Sequence, residues 1–180
     1  MTKTVIWGTV FAAVFVISMV AVIPLADAAG HLAITSKATK NTGAVSKVTF
    51  TTSVNIPQDG SAGAFGFAAL GNSAILAITT HGGVGPDSPV QANQADPVFH
   101  THVITLNFAS GACASGVEVA SITFAEAGQL KVKGNTVKVT AIPQSQTGGL
   151  TGALASFNLS VIGPLNNPTN VCVDNLTIFP

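Results

Sequence analysis

Charge is the scarcest property of this sequence. Asp, Glu, Lys and Arg together make up 8% of its 180 residues, against about 25% in ordinary soluble domains. Arginine and tyrosine are absent, and the seven lysines are balanced by seven acidic residues. Without net charge there is no field to attract a polyanion, and without arginine there is no planar fork for phosphate or guanine. We therefore expect no nucleic-acid partner.

Motifs of the common catalytic and nucleotide-binding classes are also missing. The sequence contains no Gly-x-Ser-x-Gly elbow, no Gly-Lys-Ser/Thr phosphate loop and no His-Glu-x-x-His helix. Glu118 and Glu126 lie eight residues apart in one strand region, a spacing typical of a solvated face rather than of a paired acid and base. The sequence thus favours a protein that is not an enzyme.

One long apolar run is present, and it lies near the start of the chain. Lys3 precedes an apolar stretch over residues 5–23, and an Ala-x-Ala motif follows at 26–28. This order predicts a signal peptide over residues 1–28. The remainder would be exported, whether secreted, periplasmic or pseudoperiplasmic, or held at the cell surface. Residues 5–23 are also long enough for an uncleaved membrane anchor, which is the only membrane contact we expect.

The rest of the chain, residues 29–180, has the size of one domain. It is dominated by Gly, Ala, Ser, Thr, Asn and Val, which suit strands and tight turns. No segment has a sustained helical period, and about nine or ten short strands are separated by turn signals. We predict an all-β domain, a single antiparallel β-sandwich of jelly-roll or immunoglobulin-like type.

The predicted strands follow the alternation of apolar and polar residues. Gly134-Asn135 has the character of a two-residue hairpin loop with a type II′ turn. A long polar loop is expected from His81 to Pro97. The strands cover residues 45–54, 64–70, 74–80, 99–108, 117–125, 130–133, 137–139, 153–162 and 171–179.

Cys113 and Cys172 are the only cysteines. Exported proteins meet oxidising conditions, so we predict that the two form a disulfide. They are 59 residues apart, and closing such a loop is worth about 4 kcal/mol on the chain-entropy model. The alternative is a cysteine thiolate that binds a metal.

Three of the four histidines surround the long loop. His81 follows one predicted strand, and His100 and His102 open the next. Because strand side chains alternate, His100 and His102 share the more apolar face of their strand, with Cβ atoms about 7 Å apart. If the two strands are neighbours, all three imidazoles lie at the same end of the domain.

Three imidazoles at one end of a fold are typical of a zinc or copper site. We therefore predict metal binding by His81, His100 and His102. Asp96 or Asp87, in the same loop, would supply a fourth ligand or an acceptor that orients an imidazole. The alternative is that these histidines are ordinary hydrogen-bonded residues at strand ends.

His31 offers a second, separate metal motif. Cleavage after residue 28 would leave a chain that begins Ala29-Gly30-His31. A free amine, two backbone amides and an imidazole in third place can enclose Cu(II) or Ni(II) in a square plane. The alternative is a histidine in a frayed terminal segment.

Two acceptor triplets for N-glycosylation begin at Asn158 and Asn175. Both lie inside predicted strands. Alternation places Asn175 on the same face as Val173 and Phe179, a position that disfavours a glycan.

Several segments together resemble small exported β-rich proteins of ammonia-oxidising archaea. These segments are His31-Leu32-Ala33-Ile34, the run from Asp59 to Phe67, the run from Asp96 to His102, and Val171-Cys172-Val173. The resemblance implies an extracytoplasmic setting in which copper proteins are plentiful, and it supplies no activity.

Three functions follow from these observations. The first is a non-catalytic exported protein that binds copper or zinc through its histidine cluster. The second is a structural or interaction protein of the cell surface, without metal, that self-associates or assembles with cell-envelope partners. The third is a metal-dependent enzyme with an open coordination position.

Overall fold

The computed structural model describes residues 30–81, 98–164 and 168–180. The predicted export segment, residues 1–28, and the loop aspartates Asp87 and Asp96 lie outside these ranges. The described chain has a short 3₁₀ turn (Gly30–Leu32), ten strands and one short helix, α1 (Gln144–Thr147). The strands are β1 (Ile34–Thr42), β2 (Val45–Thr52), β3 (Ala64–Gly71), β4 (Ile75–His81), β5 (His100–Asn107), β6 (Glu118–Ile122), β7 (Gln129–Lys133), β8 (Thr136–Pro143), β9 (Leu150–Ile162) and β10 (Asn170–Phe179).

The strands form two antiparallel sheets, which confirms the all-β antiparallel class. One sheet has four strands in the order β1-β2-β8-β7, and the other is a closed barrel in the order β10-β6-β5-β4-β3-β9. A sandwich of jelly-roll or immunoglobulin-like type is not confirmed, because six strands close on themselves. Register irregularities in the barrel, between Thr105 and Leu106 and between Asp174 and Thr177, add the local curvature that closure needs.

The barrel wall has two apolar faces. On β3, Phe65 and Phe67 pack with Val48 and Val139 of the four-stranded sheet in one buried cluster. Ala68 lies on the opposite face of β3 from Phe65 and Phe67 and belongs to a second cluster, with Ala155 and Phe157 of the neighbouring β9. The molecule therefore has one core between sheet and barrel and another inside the barrel.

Strand β1 was not among the predicted strands. It is mostly exposed and lies at the edge of the four-stranded sheet, where polar and charged side chains suit an edge that must not pair with another chain. Lys37 Nζ donates hydrogen bonds to the carbonyl oxygens of Gly152 (2.8 Å) and Phe179 (3.0 Å). These bonds tie the edge strand to β9 and β10 of the barrel.

The hairpin predicted at Gly134-Asn135 is confirmed. Strand β7 ends at Lys133 and β8 begins at Thr136, and the two strands pair in antiparallel register. Gly134 has a φ of +57°, which the first position of a type II′ turn requires and which glycine adopts at no steric cost.

The disulfide between Cys113 and Cys172 is confirmed. Cys172 lies opposite Glu118, and this is the one registered residue pair between β10 and β6. We call this contact the β6–β10 seam. Because the seam is where the barrel closes, the disulfide acts at the weakest junction of its wall.

Within the described ranges, no helix is long and apolar enough to cross a membrane.

Candidate functional site: a histidine cluster at one end of the barrel

The three loop histidines lie on the inner face of the barrel. Strands β4 and β5 are neighbours, with Ala77 opposite His102 and Thr79 opposite His100. Two residues further along each strand, Ile75 and Ile104 also lie opposite each other, and both line a pocket inside the barrel. Alternation therefore places His100 and His102 on this inner face.

His81 is the last residue of β4, so it continues the same inner face. Its ring centroid is 6.3 Å from that of His100 and 6.0 Å from that of His102. His100 and His102 are 5% and 3% exposed. The structure thus brings together the three histidines that the sequence singled out.

One ring nitrogen of His102 is held by the backbone. The Nδ1 atom lies 2.8 Å from the carbonyl oxygen of Thr123. A carbonyl oxygen can only accept a hydrogen bond, so Nδ1 carries the proton and Nε2 carries the lone pair in the neutral ring. A carbonyl oxygen that accepts a hydrogen bond from the other ring nitrogen orients many metal-binding histidines.

The other two rings also have an oxygen at one nitrogen. His81 Nε2 lies 3.2 Å from the hydroxyl oxygen of Thr79. His100 Nδ1 lies 3.7 Å from a carboxylate oxygen of Glu126, whose side chain is 63% exposed. Nothing in the sequence pattern marked Thr79, Thr123 or Glu126, because their role depends on strand pairing rather than on a motif.

The imidazole rings of the cluster lie farther apart than they would around one bound metal ion. Three imidazoles on one tetrahedral ion have ring centroids roughly 5 Å apart, given metal–nitrogen bonds of about 2.0–2.1 Å. The observed distances of 6.0 and 6.3 Å exceed this by about 1 Å. Among the described residues, no group of three His, Cys, Asp or Glu side chains has the geometry to hold an ion. Binding at this cluster would require the rings to move together.

His31 lies apart from the cluster. Its ring packs against Phe65 with centroids 4.6 Å apart, and burial lowers the pKa of its imidazole. The carbonyl oxygen of Gly30 accepts a hydrogen bond from Ser53 Oγ at 2.6 Å. His31 is therefore packed rather than frayed, and chelation by the predicted N-terminal motif would require it to leave Phe65. Ala29 lies outside the described residues.

The two glycosylation candidates touch each other. Asn175 Nδ2 donates a hydrogen bond to Asn158 Oδ1 at 3.3 Å. The prediction that Asn175 shares a face with Val173 and Phe179 is wrong, because the strand has an irregularity between Asp174 and Thr177. Asn175 has a φ of +51° there, and its side chain is exposed.

Glu118 is not the solvated residue that its spacing indicated. Its two carboxylate oxygens accept hydrogen bonds from Asn107 Nδ2 (2.9 Å), Ser110 Oγ (2.9 Å) and Asn170 Nδ2 (2.8 Å). These donors, Asn107 first, lower the pKa of the Glu118 carboxyl below its ordinary value of 4.5. Since Asn170 belongs to β10, Glu118 also holds the β6–β10 seam together.

Comparisons with protein-family models, with curated proteins and with solved structures found no match to this chain.

Proposed function

We propose that this is an exported, non-catalytic protein that binds one transition-metal ion, copper or zinc, through His81, His100 and His102. The observation that carries the proposal is the convergence of three imidazoles on the inner face of the barrel, at ring distances of 6.0 and 6.3 Å from His81. Imidazole nitrogen is a good ligand for both metals.

The hydrogen bonds of the rings support a particular set of ligand atoms. His102 would ligate through Nε2, because Nδ1 is committed to the Thr123 carbonyl. His81 would ligate through Nδ1, with Nε2 held by Thr79. His100 would ligate through Nε2, with Nδ1 facing Glu126. His102 and His81 would then each have an oxygen hydrogen-bonded to the ring nitrogen that does not bind the metal, as metal-binding histidines commonly do.

Export is supported by the disulfide between Cys113 and Cys172. Disulfides persist in oxidising compartments and are rare in the cytosol. The charged start, apolar run and Ala-x-Ala site of residues 1–28 point in the same direction.

The test is a metal titration of the protein in the form that cells export. After treatment with a chelator, the protein is titrated with Zn(II) and separately with Cu(II), and bound metal per chain is counted by elemental mass spectrometry. We expect one equivalent. His102→Gln and His81→Gln should each weaken binding by at least 100-fold. Thr79→Val should weaken it by about tenfold, the usual effect of losing a hydrogen bond that orients a ligating ring.

The matched control is His31→Gln, which removes the fourth histidine and leaves the cluster intact. It should retain one equivalent at the original affinity. Far-UV circular dichroism must show that every variant is folded. Failure of the wild type to bind either metal, or unchanged affinity in folded His102→Gln and His81→Gln, would overturn the proposal.

A second function, a cell-surface interaction protein without metal, is favoured by exposed apolar side chains. Phe108 is 67% exposed and Phe124 is 55% exposed, and exposed apolar side chains mark interaction sites where they form a contiguous patch. This function predicts self-association that survives both chelation and the histidine substitutions. Sedimentation of the wild type and of His102→Gln in the presence of a chelator measures this self-association and so distinguishes the second function from metal binding.

A further inference from the structure

The barrel contains a pocket that is not part of the proposed metal site. Its volume is about 60 Å³, and every residue that lines it is apolar. Along β4 and β5 it lies toward Ile75 and Leu106, whereas the histidines lie toward the other end of both strands. The barrel interior therefore has a polar end and an apolar end.

The pocket has a buried floor and an exposed mouth. Its floor includes Ala68, Ala155 and Phe157, all buried. Two other lining residues, Phe108 and Ile178, are 67% and 57% exposed. Small alanine side chains leave the interior space unfilled, and the exposed side chains mark where it opens.

The mouth coincides with the gap beyond the β6–β10 seam. Residues from β5 and β10 line the pocket, but no residue of β6, the strand between them, does so. This follows from the single registered pair between β10 and β6, at Cys172 and Glu118. Past Cys172, β10 carries Leu176 and Ile178 along an opening in the wall.

The size and polarity of the pocket restrict what can fill it. Water is disfavoured because no lining residue offers a polar side chain, and a buried water needs two to four polar partners. A cavity that binds benzene has about 150 Å³, more than twice the volume found here. A ring therefore does not fit, whereas the end of a linear chain does. The rest of such a chain must leave through the mouth, where it would cover Phe108 and Ile178.

We infer that the barrel binds an unbranched alkyl chain, inserted methyl end first between β5 and β10. The chain would lie against Ala68 and Ala155 at the floor and against Phe108 and Ile178 at the mouth. This inference is independent of the metal site, because the two lie at different ends of β4 and β5.

The experiment uses straight-chain alcohols as probes of the full-length exported protein. 1-Hexanol, 1-octanol and 1-decanol are titrated while the methyl resonances of Ala68, Ala155 and Ile178 are followed by NMR. Affinity should rise with chain length, by up to about fourfold for each added methylene that Phe108 and Ile178 cover, since fourfold is the value of one fully buried methylene group. Cyclohexanol, with the same number of carbons as 1-hexanol, should bind at least tenfold more weakly than 1-hexanol.

Two variants at the mouth test the location. Ile178→Ser and Phe108→Ser change exposed side chains, so the fold should tolerate them, and each should weaken 1-decanol binding by about tenfold or more. Val54→Ser is the control, because Val54 is 51% exposed and does not line the pocket. It should leave the affinity unchanged.

Three results would overturn the inference. One is the absence of shifts in the pocket methyl resonances with any of the alcohols. Another is equal affinity for cyclohexanol and 1-hexanol. The third is a dimer in solution that Ile178→Ser dissociates, since the mouth would then be covered by a second copy of the chain.

Discussion

At the scale of single residues, the barrel depends on a position that has no side chain. Gly66 lies on β3 opposite Thr79 and Phe157. A Cβ atom added there would lie 2.7 Å from Thr79 Cγ2, 2.8 Å from the backbone oxygen of Ile78 and 2.9 Å from Phe157 Cζ. Because one of these neighbours is backbone, the clash cannot be relieved by a rotamer change.

We expect Gly66→Ala to destabilise the protein by about 1–3 kcal/mol, the usual cost of overpacking. At a strand position with room for a side chain, replacing glycine by alanine would instead stabilise the protein. Gly111→Ala is the control, because nothing lies within 4 Å of the added Cβ. Urea unfolding measures both variants, and equal stability of Gly66→Ala and wild type would contradict the packing at this position.

Glu118 predicts a dependence of stability on pH. Its carboxylate is stabilised in the fold by Asn107, Ser110 and Asn170, so its folded pKa lies below the ordinary value of 4.5. The contribution to stability is therefore fully present above pH 4.5 and is lost as the pH falls through the folded pKa.

Glu118→Gln should consequently be less stable than wild type at pH 7, and the difference should shrink as the pH falls through the lowered folded pKa of Glu118, below which the wild-type carboxyl is also neutral. Urea unfolding of both proteins across this range measures it. A difference that is constant with pH would show that the hydrogen bonds matter and the charge does not.

The sequence carried enough information for the histidine cluster but not for its surroundings. Alternation placed His100 and His102 on one face, and His81 was expected beside them on the condition that β4 and β5 are neighbours, which they are. The carbonyl of Thr123 and the carboxylate of Glu126 could not be predicted, because they reach the cluster through pairing and loop paths that no local pattern encodes. Asn175 was misplaced for a related reason, since a register irregularity ends the alternation on which the prediction relied.

At the scale of elements, the β6–β10 seam is the junction on which closure depends. The long β9 pairs with β10 over eight registered positions, whereas β6 pairs with β10 at one. The disulfide, the Glu118 hydrogen bonds and a bond from Val173 N to Val117 O (3.0 Å) supply the remaining attachment. The disulfide and the hydrogen bonds of the Glu118 carboxylate thus take the place of the backbone pairing that β6 and β10 lack.

Replacing both Cys113 and Cys172 with alanine should lower the free energy of unfolding by about 2–4 kcal/mol. Alanine is chosen because both positions are buried and a serine hydroxyl would be left without a partner. Wild type unfolded in the presence of a reductant should show the same loss. Hydrogen exchange should also accelerate at Val173, whose amide bonds across the seam, while amides between β3 and β4 stay protected.

If exchange accelerated equally in β3 and in β10, the seam would not be a local junction. The whole barrel would then open as one unit.

The elements themselves were predicted unevenly. Nine of the ten strands were predicted from their apolar residues. The hairpin loop at Gly134-Asn135 was predicted from the residue types that a type II′ turn prefers. Strand β1 had neither, because an exposed edge strand carries polar side chains on both faces. Its place in the sheet is set by pairing with β2 and by contacts of Lys37 with β9 and β10, which are distant in sequence.

At the scale of the whole molecule, closure of a sheet into a barrel is a property that short patterns do not contain. The alternation of β5 or of β9 is the same whether the sheet is open or closed. What decides between them is a contact between β6 and β10, fixed by Cys113 and Cys172, and the sequence predicted that disulfide without indicating that it would tie the loop before β6 to β10. Closure in turn creates the interior in which both proposed ligands lie.

A metal bound inside the barrel should stabilise the entire fold, because the unfolded chain does not hold the three imidazoles together. At a free metal concentration of 100 times the dissociation constant, the gain is about 2.7 kcal/mol. For a chain of this size that corresponds to a rise in melting temperature of roughly 5–10 °C. Calorimetry with excess Zn(II), and again after a chelator, measures the shift. His102→Gln should lose most of the shift, and His31→Gln should keep all of it. An equal shift in His102→Gln and wild type would place the stabilising metal elsewhere on the chain, since β4 and β5 would then offer only two of the three proposed ligands.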